Sequence, residues 1–230
     1  MKGQRVATAA LAAMITVVVS AHAAGADRAD DRATADRALL EPDDLRGDGW
    51  KSSPNSSAAD PPLPGDPSCD GLRRAERAAE RRSVDGPDFA RTDEVTLVEY
   101  SIEETVVVFG SARVARRYFD AYAQADALAC FEAEVGAPPK GEGPYFLPRA
   151  VREREEIASS GVGDEAIGYF LEADVTFGGE PAFPIAFEAT FVRVGRAVVH
   201  LSLSTSGEIQ LVPDGEDIVR AAVDKVNGAL

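Results

Sequence analysis

The fold is decided by the stretch IGYFLEADVTFGGEPAFPIAFEATFVRVGRAVVHLSL, which covers residues 167–203. Three segments of this stretch alternate apolar residues with small or polar ones. Because successive side chains of a strand point to opposite faces, this alternation predicts three strands of an antiparallel meander with one apolar face. The apolar positions are all odd: Ile167, Tyr169, Leu171, Ala173, Val175 and Phe177, then Phe183, Ile185, Phe187, Ala189 and Phe191, then Ala197, Val199, Leu201 and Leu203.

The turn between the second and third strands follows from this parity. Directly opposed residues of antiparallel strands share a face, so a single apolar face requires paired residue numbers with an even sum. A three-residue loop, Arg193-Val194-Gly195, meets this condition and puts Gly195 at the left-handed third position. The predicted pairs are Phe191 with Ala197, Ala189 with Val199, Phe187 with Leu201 and, on the other face, Glu188 with His200.

Helical patterns flank the strands. Ser68 precedes a short helix that starts at Cys69, Ser111 precedes a long one that ends at Cys130, and Asp214 precedes the last one. Apolar residues three or four apart give each helix one buried face. The predicted inward positions are Leu72, Ala75 and Ala79, then Val114, Tyr118, Tyr122, Ala125 and Ala129, then Ile218, Ala222 and Val226.

Three further segments complete the expected fold. Glu103-Glu104 predicts a polar turn between two short strands, and the proline- and glycine-rich residues 136–148 predict a loop. Residues 151–157 alternate like an edge strand, while their charge density also suits a helix. The whole pattern predicts an α+β fold in which a twisted antiparallel β-sheet meander is packed with helices, in a single domain.

The first residues have the pattern of a leader. Lys2 and Arg5 precede an apolar run, and Ala21-His22-Ala23 matches the cleavage pattern of a signal peptide. The run is shorter than the roughly 18–20 residues of a spanning helix, although it could stay as an uncleaved anchor. The expected division is a signal peptide over 1–23, a flexible charged stalk over 24–36 and one domain over 37–228. The mature protein is then secreted or extracytoplasmic.

The charge of the chain excludes some partners. The formal net charge is −15. Nucleic acids and anionic membrane surfaces are bound through basic patches, so an acidic chain is not expected to bind either. The remaining partner classes are an unknown small or apolar extracellular ligand and a cell-envelope protein.

The two cysteines predict one disulfide. Cys69 and Cys130 form the only possible intramolecular pair in an exported chain, the alternative being two unrelated thiols. Chain-entropy arithmetic gives about 4 kcal/mol for closing a loop of this length. The two cysteines are too far apart in sequence for a redox motif, and with one histidine they are too few for a zinc site.

Candidate catalytic residues are scarce. His200 is the only histidine after the leader, and Ser202 and Ser204 lie on its side of a strand. Neighbours two apart on a strand point in parallel at about 7 Å, beyond the reach that a nucleophile and its base require. Asp164-Glu165 in a glycine-rich turn could bind a cation but lacks the spacing of a calcium loop. We therefore expect no enzymatic activity, no catalytic residue, no cofactor and no metal.

Four short motifs resemble the extracellular sensor domain of mycobacterial PknH-type kinases and the secreted proteins and lipoproteins built on it. They are Leu39-Leu40-Glu41-Pro42-Asp43-Asp44-Leu45 with Gly49-Trp50; Val108-Phe109-Gly110-Ser111-Ala112 before a helix ending in Ala129-Cys130; Gly163-Asp164-Glu165-Ala166; and Val192-Arg193-Val194-Gly195-Arg196. The resemblance spans residues 37–228. It implies a twisted antiparallel sheet with helices and a cleft for an unknown extracellular ligand. It supplies no catalytic residues, and this chain can form only one of the two disulfides usual in the kinase members.

Two functions follow as hypotheses. The first is a secreted, non-catalytic binding module of the sensor type, with a ligand in a cleft between sheet and helices. The second is a cell-envelope interaction or structural module without a small-molecule pocket. The first places the cleft at Tyr118, Tyr122, Tyr169, Phe187 and Phe191, and the second places its contact at a loop with Tyr145, Phe146 and Leu147.

Overall fold

A computed structural model describes residues 29–55, 66–135, 145–154, 157, 161–176 and 182–230 of the chain. Its helices are α1 (29–37), α2 (Asp70–Ala79), α3 (Ala112–Tyr122), α4 (Ala125–Val135) and α5 (Gly215–Ala229), with 3-10 turns at Pro42–Asp44 and Pro67–Cys69. Its strands are β1 (Lys51–Ser53), β2 (Ser83–Asp85), β3 (Asp88–Thr92), β4 (Glu99–Val108), β5 (Tyr145–Glu153), β6 (Glu165–Thr176), β7 (Phe183–Val194) and β8 (Ala197–Ser206).

These strands form one antiparallel sheet, so the predicted α+β class is confirmed. The strand order is β1-β3-β4-β8-β7-β6-β5, and β2 pairs with β4 next to β3. The predicted meander is β6, β7 and β8. The predicted turn at Glu103-Glu104 is wrong, because both residues lie in the middle of the continuous strand β4.

The predicted turn between β7 and β8 is also wrong. Val194 pairs with Ala197, which leaves a two-residue turn, Gly195-Arg196, in which Gly195 has φ +56°. Positive φ at the first central position is the pattern of a type II′ turn, which suits the twist of a hairpin. Paired numbers therefore have an odd sum, and Phe191 lies opposite His200. Glu188 pairs with Leu203 instead of His200, so the expected Glu188–His200 contact does not form.

This register gives the sheet two buried faces. The odd residues of β6 and β7 share a face with the even residues of β8, such as Val198 and His200. Helices α2, α3 and α4 cover that face, which we call the disulfide face. Helices α1 and α5 cover the opposite side, which we call the carboxylate face. The buried apolar residues Val192, Val194 and Val198 at even positions explain why one apolar face per strand was too simple.

The Cys69–Cys130 disulfide is present and closes the disulfide face. Its Cα atoms are 4.8 Å apart, within the upper limit of about 7 Å for a disulfide. Cys69 ends the 3-10 turn before α2, and Cys130 lies inside α4. The cap is not Ser68 itself but Asp66, whose Oδ1 accepts hydrogen bonds from the Ser68 amide and hydroxyl. The disulfide thus links the start of α2 to the middle of α4.

The predicted long helix is two helices with a shifted buried face. It breaks between Tyr122 and Ala125. The residues that face the sheet from α3 are Ala115, Phe119 and Tyr122, while Val114 is 39% exposed. The inward face is therefore rotated by about one residue from the prediction. The predicted and the observed inward faces both have apolar residues three or four apart. Only packing against the sheet decides which of the two faces is buried.

The structure differs from the expected stalk. Residues 29–37 form α1, in which Asp31 and Ala35 are buried. Arg82 and Arg196 both donate hydrogen bonds to the Asp31 carboxylate, so the helix is attached to the end of α2 and to the β7–β8 turn. The sequence of this helix has no apolar stripe from which it could be predicted. The charged residue Asp31 provides much of its attachment instead.

The predicted contact loop belongs to a strand. Tyr145, Phe146 and Leu147 begin β5, which is the last strand of the sheet, and the Leu147 side chain is 43% exposed. The predicted edge strand at 151–157 is the second half of β5, up to Glu153. The predicted leader lies outside the described residues. Of the helices that the structure describes, none is both long and apolar enough to cross a membrane.

Candidate ligand site on the disulfide face

Stacked rings lie at the centre of the disulfide face. The Phe191 ring stacks on Tyr122 of α3 at a centroid distance of 4.0 Å and on the His200 imidazole at 4.3 Å. Tyr122 and Phe191 are buried, and stacked pairs of this kind contribute about 0.5–1.5 kcal/mol beyond their buried area. The stack connects the helix layer to two neighbouring strands of the sheet.

Two further tyrosines bring polar groups to the stack. The Tyr169 hydroxyl donates a hydrogen bond to the main-chain oxygen of Tyr122, which is the last residue of α3. This satisfies one of the carbonyls that a helix end leaves without a partner. The Tyr118 and Tyr122 hydroxyls are 3.1 Å apart, and the Tyr122 hydroxyl donates to Glu76 of α2 at 3.5 Å. Burial raises the pKa of Tyr118 to about 12 and also raises the pKa of Tyr122. The phenols of Tyr118 and Tyr122 therefore stay protonated.

A row of side chains crosses the sheet beside the stack. Register places Asp85 of β2, Thr105 of β4, His200 of β8, Phe191 of β7 and Ile167 of β6 side by side. The Thr105 hydroxyl donates to the Asp85 carboxylate at 2.8 Å. Burial lowers the pKa of His200 to about 4, against a smaller opposing effect of Asp85, so the imidazole is neutral at physiological pH.

The disulfide face continues beyond the helices as a half-buried shelf. Its residues are Phe187 and Ala189 of β7 and Ser202 and Ser204 of β8, which register places on the same side as Phe191. The Ser204 hydroxyl lies 2.6 Å from the Ser101 hydroxyl of β4. The shelf thus combines apolar side chains with a few hydroxyl groups next to the ring stack.

All five predicted cleft residues lie on the disulfide face. Tyr122 and Phe191 belong to the stack, Tyr169 and Tyr118 contact Tyr122, and Phe187 lies on the shelf. Whether they hold a ligand stays a prediction. Two shallow grooves of about 570 and 550 Å³ lie elsewhere, along α5 and the 36–42 segment, and none of the five residues lines them. Sequence reasoning missed Asp85 and Thr105, because β2 is only three residues long.

The acidic pair Asp164-Glu165, which the sequence offered as a candidate cation site, forms ion pairs with the side chain of Arg193. The guanidinium contacts Asp164 at 2.8 Å and Glu165 at 2.5 Å, and Asp164 also accepts the Gly195 amide. Two of the four motifs of the resemblance therefore form one contact. A Cβ on Gly163, which has φ +67°, would lie 2.5 Å from a Val192 methyl, so this approach requires glycine. No cluster of three or more possible metal ligands occurs in the described part of the chain.

The carboxylate face holds two buried acids that the sequence did not reveal. Glu104 is 2% exposed, and its Oε2 accepts the Leu40 amide at 2.7 Å. Burial raises its pKa to about 7. Glu188 is 3% exposed and pairs with Arg154, yet burial still raises its pKa. One oxygen of each carboxyl has no hydrogen-bond partner among the described residues.

The motif at residues 39–45 docks on the carboxylate face through charges. Lys225 of α5 contacts Glu41 at 2.8 Å and Asp44 at 2.9 Å, and Arg46 contacts Asp217 at 2.6 Å. Leu40 and Leu45 enter the core beneath these ion pairs. The first motif of the resemblance therefore covers the final helix.

Comparison with known proteins yields distant likenesses only. No family model and no curated protein match the chain. The extracellular domain of PknH from Mycobacterium tuberculosis matches with a TM-score of 0.47 and 15% identity, covering 86% of this chain and 96% of that one. LpqN, involved in cell envelope biogenesis of Mycobacterium tuberculosis, matches with a TM-score of 0.32 and 12% identity, covering 80% of this chain and 78% of that one.

A third similar structure is PsbP (CyanoP) from Synechocystis sp. PCC 6803. Its TM-score is 0.33 and its identity 14%, with 83% of this chain and 88% of that one covered. All three TM-scores are below 0.5, so these likenesses carry no functional argument.

Proposed function

We propose that this chain is a non-catalytic, extracytoplasmic binding module that holds a small, largely apolar ligand on the shelf of the disulfide face. The observation that carries the proposal is the change in burial along this face. Under the helices its rings are packed and buried, while next to them Phe187, Ala189, Ser202 and Ser204 are only half-buried. Small-molecule sites are lined mostly by apolar side chains with a few polar groups, and the shelf has this composition.

The chemistry of His200 supports binding rather than catalysis. A general base works best with a pKa near the working pH, whereas burial lowers the pKa of His200 to about 4. Its ring stacks flat on Phe191, and the Ser204 hydroxyl is engaged with Ser101. A neutral, stacked imidazole serves as part of a wall.

The test is native mass spectrometry of the protein purified from its own host. We expect an added mass on the wild type, lost in Phe187→Ser and kept in the control Leu147→Ser, which removes an exposed leucine from the edge strand β5. A wild type without any added mass, or one whose added mass survives Phe187→Ser, would contradict the site.

A cell-envelope interaction module is the second candidate, and the exposed Leu147 on the edge strand favours it. Edge strands offer unpaired main-chain groups to partner strands. In that case Leu147→Ser weakens capture of an envelope partner in crosslinking experiments on the host, and Phe187→Ser leaves capture unchanged.

A further inference from the structure

The β3–β4 tip, residues 93–98, exposes two large apolar side chains. Val95 is 93% exposed and Leu97 is 74% exposed. The tip itself is well ordered by hydrogen bonds, since the Asp93 carboxylate accepts the amides of Val95 and Thr96 at 2.8 and 2.9 Å. The two side chains are therefore held out into solvent by a defined turn.

Leu97 also has an unfavourable main-chain conformation. Its φ is +59°, in the left-handed region that costs a residue with a Cβ roughly 1–2 kcal/mol. Glycine or asparagine normally occupies such a position. Leu97 thus combines an unfavourable main-chain conformation with an exposed apolar side chain. Such a combination is typical of a contact site.

Acidic groups surround the tip. Glu94 within the tip and Glu99 directly after it are both exposed. The loop after β8 lies alongside, because a Cβ on Gly207 would come within 3.8 Å of the Leu97 main-chain oxygen. That loop exposes Glu208 and Leu211, the latter by 45%. The tip is thus an apolar point within an acidic rim.

The same chain carries a surface of the opposite kind. On α3, Arg113 and Arg117 are exposed on either side of Val114, which is 39% exposed. Helix α2 lies beside α3 and exposes Arg74 and Arg77, with Glu76 between them in contact with the Tyr122 hydroxyl of α3. Within the described part of the chain, no ion pair engages these four arginines. We call these five residues the arginine surface; it is basic although the chain has a net charge of −15.

The tip and the arginine surface of one molecule cannot meet. They lie at opposite ends of β4, since the tip precedes Glu99 and α3 follows Val108 after a short turn. Ten residues of strand separate them by roughly 30 Å. Contact between them therefore requires two molecules.

We propose that the β3–β4 tip of one copy docks on the arginine surface of a second copy. Val95 and Leu97 pack on Val114, and the rim carboxylates face the arginines. The contact joins two different surfaces, so it is head-to-tail and builds rings or chains instead of a closed two-fold dimer. Charge complementarity and two exposed apolar groups on the same chain are the observations that carry this contact.

Analytical ultracentrifugation of the full chain tests the proposal. We expect the average mass to rise with protein concentration and to fall with added salt, because exposed charge pairs are screened. Leu97→Ser removes the central apolar contact and should raise the dissociation constant roughly tenfold. A wild type that stays monomeric at every concentration, or association that Leu97→Ser leaves unchanged, would overturn the proposal.

Charge reversal gives the sharper experiment. One variant carries Glu94→Arg and Glu99→Arg at the tip, and another carries Arg113→Glu and Arg117→Glu on the arginine surface. Each alone presents like charges at the contact and should be monomeric. When the two are mixed, both contacts become complementary again, so association should return.

A matched control separates this result from general charge attraction. Arg37→Glu with Arg220→Glu makes the same change in net charge as the reversal on the arginine surface, at exposed positions of the helices that cover the carboxylate face. It should self-associate like the wild type. If it becomes monomeric alone, or if the mixed reversed variants stay monomeric while circular dichroism shows both folded, the proposed contact is wrong.

Discussion

The two faces of the sheet are buried by different chemistry. The disulfide face is closed by a covalent bond and by stacked rings around Phe191, with one imidazole included. The carboxylate face is closed by aliphatic residues of α5 and by ion pairs at its rim, with Glu104 and Glu188 included. The disulfide face thus contains a half-buried imidazole and the carboxylate face contains two buried carboxyl groups, so the charged forms on the two faces have opposite sign.

Burial therefore gives the two faces opposite dependence on pH. His200 has its pKa lowered from 6.5 to about 4, so its contribution to stability is complete above pH 6.5 and is lost as pH falls through 4. Glu104 has its pKa raised from 4.5 to about 7, so its contribution is complete below pH 4.5 and is lost as pH rises through 7. Between these limits the two slopes partly cancel, and variants can separate them.

The largest expected effect is on the disulfide face. Replacing Cys69 and Cys130 together by alanine should lower the free energy of unfolding by about 4 kcal/mol, because the bond closes a loop of 61 residues in the unfolded chain. Urea unfolding measures it. Reducing the wild type should give a similar loss; a loss below about 1 kcal/mol in both would show that the rings alone hold this face.

The second effect concerns the carboxylate face. Relative to the wild type, Glu104→Gln should gain about 3 kcal/mol of unfolding free energy between pH 4.5 and 7, because the substitution removes the decline that Glu104 contributes. Denaturant unfolding at a series of pH values measures this slope, so a constant cost of the amide does not matter. The control is Glu103→Gln at the exposed neighbouring position, which should keep the slope. Equal slopes in all three proteins would refute a buried ionising Glu104.

The third effect has the opposite sign. His200→Gln should remove a gain of about 2 kcal/mol between pH 4 and 6.5, smaller than the Glu104 effect because the imidazole is only half-buried. Combining it with Glu104→Gln should leave the decline that Glu188 contributes, since burial also raises the pKa of that carboxyl. Nuclear magnetic resonance titration of the His200 ring protons provides an independent check, and an unshifted pKa near 6.5 would contradict the buried stack.

The smallest effect lies outside both faces. Leu97→Gly should raise the unfolding free energy by about 1 kcal/mol, since glycine adopts positive φ without strain. The matched control Val95→Gly lies in the same tip at ordinary φ and should not stabilise the protein. A destabilising Leu97→Gly would show that the leucine packs within its own molecule.

Sequence patterns predicted the elements that bury a regular stripe. The three long strands of residues 167–203, the inward face of the last helix and the cysteine pair are all present. Each rests on local information: period two for strands, three or four residues for helices, and one possible pairing for two cysteines. They fix the α+β class.

The buried face of α3 and the register of β7 with β8 were predicted wrongly, because the alternatives bury similar residues. On α3, an apolar stripe can run through either Val114 or Ala115. Before Ala197, a two-residue turn and a three-residue turn both leave apolar residues on the buried faces of the sheet. Val192, Val194 and Val198 were the available signal, since apolar residues at even positions indicate strands buried on both sides.

The sequence by itself determined the strands of the meander, the final helix and the disulfide partner, because their signals lie within a few residues or have one solution. Only the tertiary structure decided which groups are buried together. Asp31 of α1 finds Arg82 and Arg196 at separations of 51 and 165 residues, and Glu104 finds the Leu40 amide at 64. A buried charge is stable only with such partners, and the register of the sheet selects them after the chain has folded.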